Sequence, residues 1–193
     1  KLASYSIHSK RLTEDEGVVL EPSAVYIIPL MEELALPAGI RGKANPRSTT
    51  GRLDLFTRVI TDHGERFDEI PEGYRGPLYL EVLSRSLTLR LVRGFDLSKI
   101  RFIRGTCLCT DFEVISLYER EGPLLYEGEG PIGGGEVMLR EGLFLRVDLG
   151  GIAKSNWVGY KARRNSGLID LSRLNCYQIL DFWEPVFRDR NGR

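Results

Sequence analysis

Along the chain, apolar residues recur in short runs with a period of two, and glycine or proline breaks most of these runs. That pattern predicts strands rather than helices. Residues 24–30 (AVYIIPL) and 52–61 (RLDLFTRVIT) read as largely buried strands, and residues 76–84 (GPLYLEVLS) as another. In residues 86–92 (SLTLRLV), Leu87, Leu89 and Leu91 alternate with Thr88 and Arg90, so one strand face is apolar. Residues 99–103 (KIRFI) close the series.

A single helix interrupts this β pattern. In TDFEVISLYERE, Thr110 and Glu113 have the spacing of a capping box, Asp111 suits the first turn, and Val114, Leu117 and Tyr118 share a face. The helix is expected near residues 111–120. Beyond it, EGEGPIGGGE (127–136) is too glycine-rich to be core. Residues 142–151 (GLFLRVDLGG) alternate as a strand, and 157–171 read as two short strands around an Asn-Ser-Gly turn. DFWEPVF (181–187) ends the ordered pattern. The expected fold class is therefore mainly β, divided into a first domain over 1–126, a linker over 127–136 and a thin β segment over 137–193. That last segment lacks a layer to pack against, so the rest of its domain is expected outside this chain.

Composition narrows the possibilities. Lysine plus arginine and aspartate plus glutamate number 27 each, so no global basic field collects nucleic acid. Three cysteines in 193 residues make no disulfide framework and point to a reducing, cytoplasmic compartment. No apolar run approaches the roughly 20 residues a membrane helix needs, and the first residues, KLASYSIHSK, have no hydrophobic centre of a signal peptide. The first residue is Lys1 rather than methionine, which points to a fragment, a processed chain or a start not included.

The densest chemistry lies in KANPRSTTGRLDLF (43–56), where Arg47, Ser48, Thr49, Thr50 and Arg52 cluster between apolar flanks. Hydroxyls, guanidinium groups and successive backbone N–H groups at a strand entrance can converge on phosphate oxygens. The competing reading is a solvated polar turn. Other motifs carry less. GPIGGGE is followed by no Gly-Lys-Ser/Thr, so it is no phosphate loop. Cys107 and Cys109 would face one side of a strand, but with only His8, His63 and Cys176 besides they read as structural thiols rather than zinc ligands. His63 reads as a turn residue, and no Gly-x-Ser-x-Gly elbow is present. The His-x-Glu and Pro-Cys-x-x-Cys pair of zinc nucleobase deaminases is also missing.

Three blocks, ANPRSTTGRLDLFTRVITD, FDEIPEGYRGPLYLEV and LVRGFDLSKIRF, resemble the dCTP deaminase group of the dUTPase-like superfamily in order and spacing over residues 36 to about 105. GLFLRVDL and VGYKARRNSGLIDL further resemble its longer, duplicated bacterial form. The resemblance implies a dUTPase-like β-barrel or β-clip fold followed by part of a second, similar β domain. The family's N-terminal strands have no counterpart before Lys1, and its phosphate-covering tail has none after Arg193. It implies homo-oligomerisation as a trimer or pseudo-trimer, with active sites at subunit boundaries and dCTP or dUTP as the ligand.

By the same resemblance, Arg47, Ser48 and Thr49 bind triphosphate, while Ser48 and Arg52 position the attacking water. Glu81 is the catalytic glutamate, and the backbone around Thr61 and Asp62 reads the pyrimidine. The segment DHGERFDEIPEGYRG is longer than the family's usual run, so the sugar-contacting aspartate is either Asp68 or Asp62.

Deamination at C4 of cytosine needs an activated water, a proton carrier and stabilisation of the tetrahedral intermediate. Without zinc, a carboxylate carries the protons, and magnesium enters as the nucleotide triphosphate complex. On strict alternation Glu81 shares a face with Tyr79 and Leu83, opposite Leu80 and Val82. The expected reaction is dCTP to dUTP and ammonia. A dUTPase, a bifunctional deaminase and dUTPase, and a non-catalytic nucleotide-binding or assembly module are the alternatives.

Overall fold

The computed structural model describes residues 17–106, 108–150 and 156–188. Its strands in chain order are β1 (Val18–Leu20), β2 (Val25–Ala35), β3 (Ile40–Pro46), β4 (Leu55–Thr61), β5 (Glu69–Ile70), β6 (Arg75–Ser84), β7 (Leu89–Leu91), β8 (Ser98–Arg104), β9 (Tyr126–Glu127), β10 (Gly130–Pro131), β11 (Trp157–Ala162), β12 (Ile169–Asp170) and β13 (Trp183–Phe187). The helices are α1 (Ser48–Gly51), α2 (Asp111–Glu121) and α3 (Ile179–Phe182).

Alternation dictates the central sheet, ordered β2-β6-β4 with antiparallel neighbours. Leu78, Leu80 and Val82 of β6 and Leu55 and Val59 of β4 turn one way and are buried. Tyr79, Glu81 and Leu83 turn the other way and are only half-buried. The inner face packs on a second sheet, β5-β3-β8, where Ala44 and Ile70 join the same apolar cluster. Small residues allow this approach: a Cβ on Gly42 would sit 3.2 Å from side-chain atoms of both Ile70 and Ile100. Between the sheets, the Thr57 and Ser98 hydroxyls pair at 3.1 Å, so one buried polar group is satisfied by its neighbour.

The third sheet, β1-β7-β12, joins distant parts of the chain. β12 runs parallel to β7, with Ile169 opposite Leu89, and Ile169, Leu171 and Phe182 enter the core that holds Leu20, Leu89 and Leu91. Chain beyond the glycine-rich loop thus closes the apolar cluster of the first domain.

Helix α2 forms where its caps predict. The Thr110 side chain accepts from Glu113 N at 3.2 Å, and Thr110 N donates back to the Glu113 carboxylate at 2.7 Å. That hydrogen bond to the Thr110 backbone, chiefly, holds the Glu113 carboxyl below its ordinary value. Tyr118 is the buried residue of its apolar face.

Three sequence expectations change. Residues 142–150 form no strand: only the bridge Leu139–Leu143 is present, and Phe144, Leu145, Val147 and Leu149 are exposed. Alternation supplies a strand-competent segment, but a strand also needs an edge to pair with, and none meets it among the described residues. Residues 157–171 form no hairpin. Asn165 does turn the chain at φ 54°, yet β11 pairs with β13 and β12 leaves for β7, because Ile169 is buried there. Lastly, Cys109 lies on no strand. Cys109 and Cys176 are exposed free thiols, and Cys107, like His8, lies outside the described residues.

Candidate active site

The Arg47–Arg52 stretch is one turn of helix, α1, between β3 and β4, and not the immediate start of a strand. Its turn is closed from within: the buried Thr50 hydroxyl donates to Arg47 O at 2.8 Å, and Arg52 N donates to Ser48 O at 3.1 Å. Arg47 N donates to Leu97 O at 2.9 Å, which fixes the turn against the entrance of β8. Its guanidinium reaches the Asp96 carboxylate at 3.3 Å. Ser48, Thr49 and Arg52 are exposed, and their side chains have no hydrogen-bond partner among the described residues. One buried threonine thus shapes the turn while three polar side chains stand open for a ligand or for water.

Glu81 lies at the middle of β6 on the outer face of the central sheet, directly across from Arg58 of β4 and Ile27 of β2. The Arg58 side chain donates to Glu81 Oε1 through Nε at 2.9 Å and through Nη2. The glutamate side chain is 17% exposed and the arginine 49%. Phe67 lies against the guanidinium, with its ring centroid 4.0 Å from the arginine Cζ. Around this pair Val25, Ile27 and Phe56 are exposed apolar side chains, so the face is greasy at its rim and charged at its centre.

The remaining predicted residues divide by role. Thr61 turns its side chain into the core, where its hydroxyl is buried without a partner among the described residues. A Cβ at Gly64 would fall 2.2 Å from that hydroxyl, so the turn after β4 needs glycine there. Asp62 is exposed, and its backbone N–H donates to the Tyr74 hydroxyl at 3.0 Å. Asp68 sits at φ 62° and fastens its loop to β4 and β3: Oδ1 accepts from Val59 N at 2.8 Å, and its carbonyl accepts from Ala44 N at 2.7 Å.

Glu81 is hydrogen-bonded to Arg58 and, among the described residues, not to Ser48 or Arg52. No hydrogen bond joins Glu81 to the α1 turn among the described residues. The sequence reading missed Arg58. The available signal was its outward position in alternation with Leu55, Thr57 and Val59, which makes an opposite charge on the adjacent strand a natural cross-strand partner. No group of three or more histidine, cysteine, aspartate or glutamate residues disposed to hold a metal occurs among the described residues. Nor is any described helix long and apolar enough to cross a membrane.

The layered sheets, with a polar turn at one end and an acid on the outer face, define a mainly β protein of the dUTPase-like class. The family model for the 2'-deoxycytidine 5'-triphosphate deaminase N-terminal domain matches residues 1–106, and that for the C-terminal domain matches residues 124–193. The chain belongs to the 2'-deoxycytidine 5'-triphosphate deaminase family. It is similar to a dCTP deaminase of Ignicoccus hospitalis, with 25% identity over 116 residues, covering 60% of this chain and 56% of that protein. The crystal structure of 2'-deoxycytidine 5'-triphosphate deaminase from Agrobacterium tumefaciens superposes with a TM-score of 0.76 at 41% identity, covering 95% of this chain and 52% of that one. The chain thus spans about half the length of these relatives.

Proposed function

We propose that this chain acts in the hydrolytic deamination of dCTP to dUTP and ammonia, without a metal-activated water. The observation that carries the reading is Glu81: a half-buried carboxylate among apolar neighbours at the centre of a strand face, held by Arg58 through one oxygen only. Water adds to C4 of the cytosine as Glu81 takes one of its protons. That proton passes to ring N3, a second reaches the exocyclic amine, and the C4–N bond breaks to release ammonia. Ser48 and Arg52 orient the water and stabilise the charge that develops on the ring. Arg47, Ser48 and Thr49 hold the triphosphate, which enters with magnesium. The backbone at Thr61 and Asp62 reads the base, and Asp62 or Asp68 the sugar.

We place the protein in the cytoplasm on its cysteine usage, and two features support a homo-oligomeric site, as a trimer or pseudo-trimer. No hydrogen bond or ion pair joins the α1 turn to Glu81 among the described residues, and apolar Val25, Ile27 and Phe56 lie on the glutamate's face. A second copy covering that face would bury them and bring its own α1 turn to the carboxylate. As domains we propose a nucleotide-binding domain over 1–126, a linker over 127–136 and part of a second β domain over 137–193, whose Ile169, Leu171 and Phe182 pack into the core of the first.

Ammonia release with dCTP, dCMP and CTP tests the function. Turnover of dCTP with little of CTP is expected. Pyrophosphate from dUTP without ammonia from dCTP would make the chain a dUTPase, pyrophosphate and ammonia together a bifunctional enzyme, and binding without either a non-catalytic module.

A further inference from the structure

We propose that Arg58 is a positioning residue for Glu81, holding one carboxylate oxygen so that the other faces the reacting base. The proposal rests on the reading of Glu81 as the proton shuttle. Its evidence is the pair's geometry. Nε and Nη2 of Arg58 both donate to the same oxygen, Oε1. An arginine fork that only fastened two strands would spread over both carboxylate oxygens, the arrangement that gains most from its planar shape. Here Oε2 has no hydrogen-bond partner among the described residues. The carboxylate is thus fixed at one end and open at the other.

The arginine is itself held in place. Arg58 and Glu81 are directly opposed in the β4–β6 register, so the backbone sets their separation. Phe67 then backs the guanidinium at 4.0 Å, an aromatic face that attracts a cation and limits its rotamers. A surface ion pair at 49% arginine exposure is a weak fastener by itself, so stability gives this three-residue arrangement little reason to exist. Arg52, the arginine that the family resemblance places in the chemistry, makes no hydrogen bond or ion pair with Glu81 among the described residues. Orientation of the carboxylate falls to Arg58.

The test is a double-mutant cycle on the full chain with magnesium dCTP as substrate, comparing Arg58→Gln, Arg58→Lys and Glu81→Gln, singly and combined. Arg58→Gln is expected to lower kcat by about 10- to 100-fold while KM stays within about threefold, since positioning acts on the proton-transfer step. Arg58→Lys keeps charge but not the fork, and recovers only part of the loss. In the Glu81→Gln background, Arg58→Gln should change the residual rate by less than about twofold, because there is no carboxylate left to orient. Thermal unfolding of each variant identifies any rate lost to misfolding. An unchanged kcat in a folded Arg58→Gln variant, beside an inactive Glu81→Gln variant, overturns the proposal alone. A loss of equal size in both backgrounds overturns it too, since Arg58 would then act independently of Glu81. A fully active Glu81→Gln variant overturns the reading of Glu81 beneath it, and this proposal with it.

Discussion

The Arg47 guanidinium stands 3.3 Å from the Asp96 carboxylate, an ion pair whose acid is 78% exposed. The arginine of the candidate phosphate turn thus rests on a partner that water competes for. An exposed pair of this kind contributes roughly 0–1 kcal/mol. A triphosphate offers more charge and a matching geometry, so exchange from Asp96 to phosphate carries little cost.

Replacing Arg47 with alanine should therefore weaken dCTP binding by roughly 10- to 150-fold, the equivalent of one lost charge-assisted contact. Asp96→Asn should bind at least as tightly as the wild type, because the arginine is released. Isothermal titration calorimetry reads both. Unaltered affinity with a lower unfolding midpoint in the Arg47 variant would mark the turn as purely structural.

Glu81→Gln keeps the shape of the side chain and removes its basic carboxylate. Deamination should fall by about 10²- to 10⁴-fold while dCTP still binds. Ammonia release and calorimetry on the same preparation separate the two effects, and wild-type turnover in the variant would end the proton-shuttle assignment.

Ile169 is 4% exposed where β12 meets β7. Truncation to alanine removes buried methyl and methylene groups from a core that collapses only in part, so ΔG of unfolding should drop by about 2–5 kcal/mol. Urea denaturation followed by the fluorescence of Trp157 and Trp183 measures it. A loss below about 1 kcal/mol would mean that residues beyond the linker only rest on the first core.

Acid should loosen the same junction. The Ser172 hydroxyl, which donates to Asp170 Oδ1 at 2.6 Å, is the main cause holding the Asp170 carboxyl below its ordinary value, with Arg90 at 2.7 Å assisting. A carboxylate depressed in the folded state contributes its stability fully above its unfolded value, about 3.9, and loses it as pH falls through the folded one. Unfolding midpoints should therefore decline below about pH 4, and less so in Ser172→Ala. Identical pH profiles for the two proteins would remove Ser172 from the account.

Local patterning determined a good part of this molecule. The alternation of Leu78, Leu80 and Val82 set the inner face of β6 and put Glu81 on the other side, and the Thr110–Glu113 box set the start of α2. These are short-range consequences of backbone geometry, in which neighbours on one strand or one helical turn decide the outcome. The Arg47–Arg52 cluster was legible as chemistry, though its single helical turn was not. Tertiary structure decided what depends on partners far away in the chain. The register of β4 against β6 put Arg58, and not Arg52, on Glu81. The edge of β7 took Ile169 out of a local hairpin, while the equally alternating segment around Leu145 found no edge among the described residues and stayed exposed. Periodicity fixes which way a side chain faces, but pairing and register follow from the free energy of the whole packed sheet, which no single stretch of sequence contains.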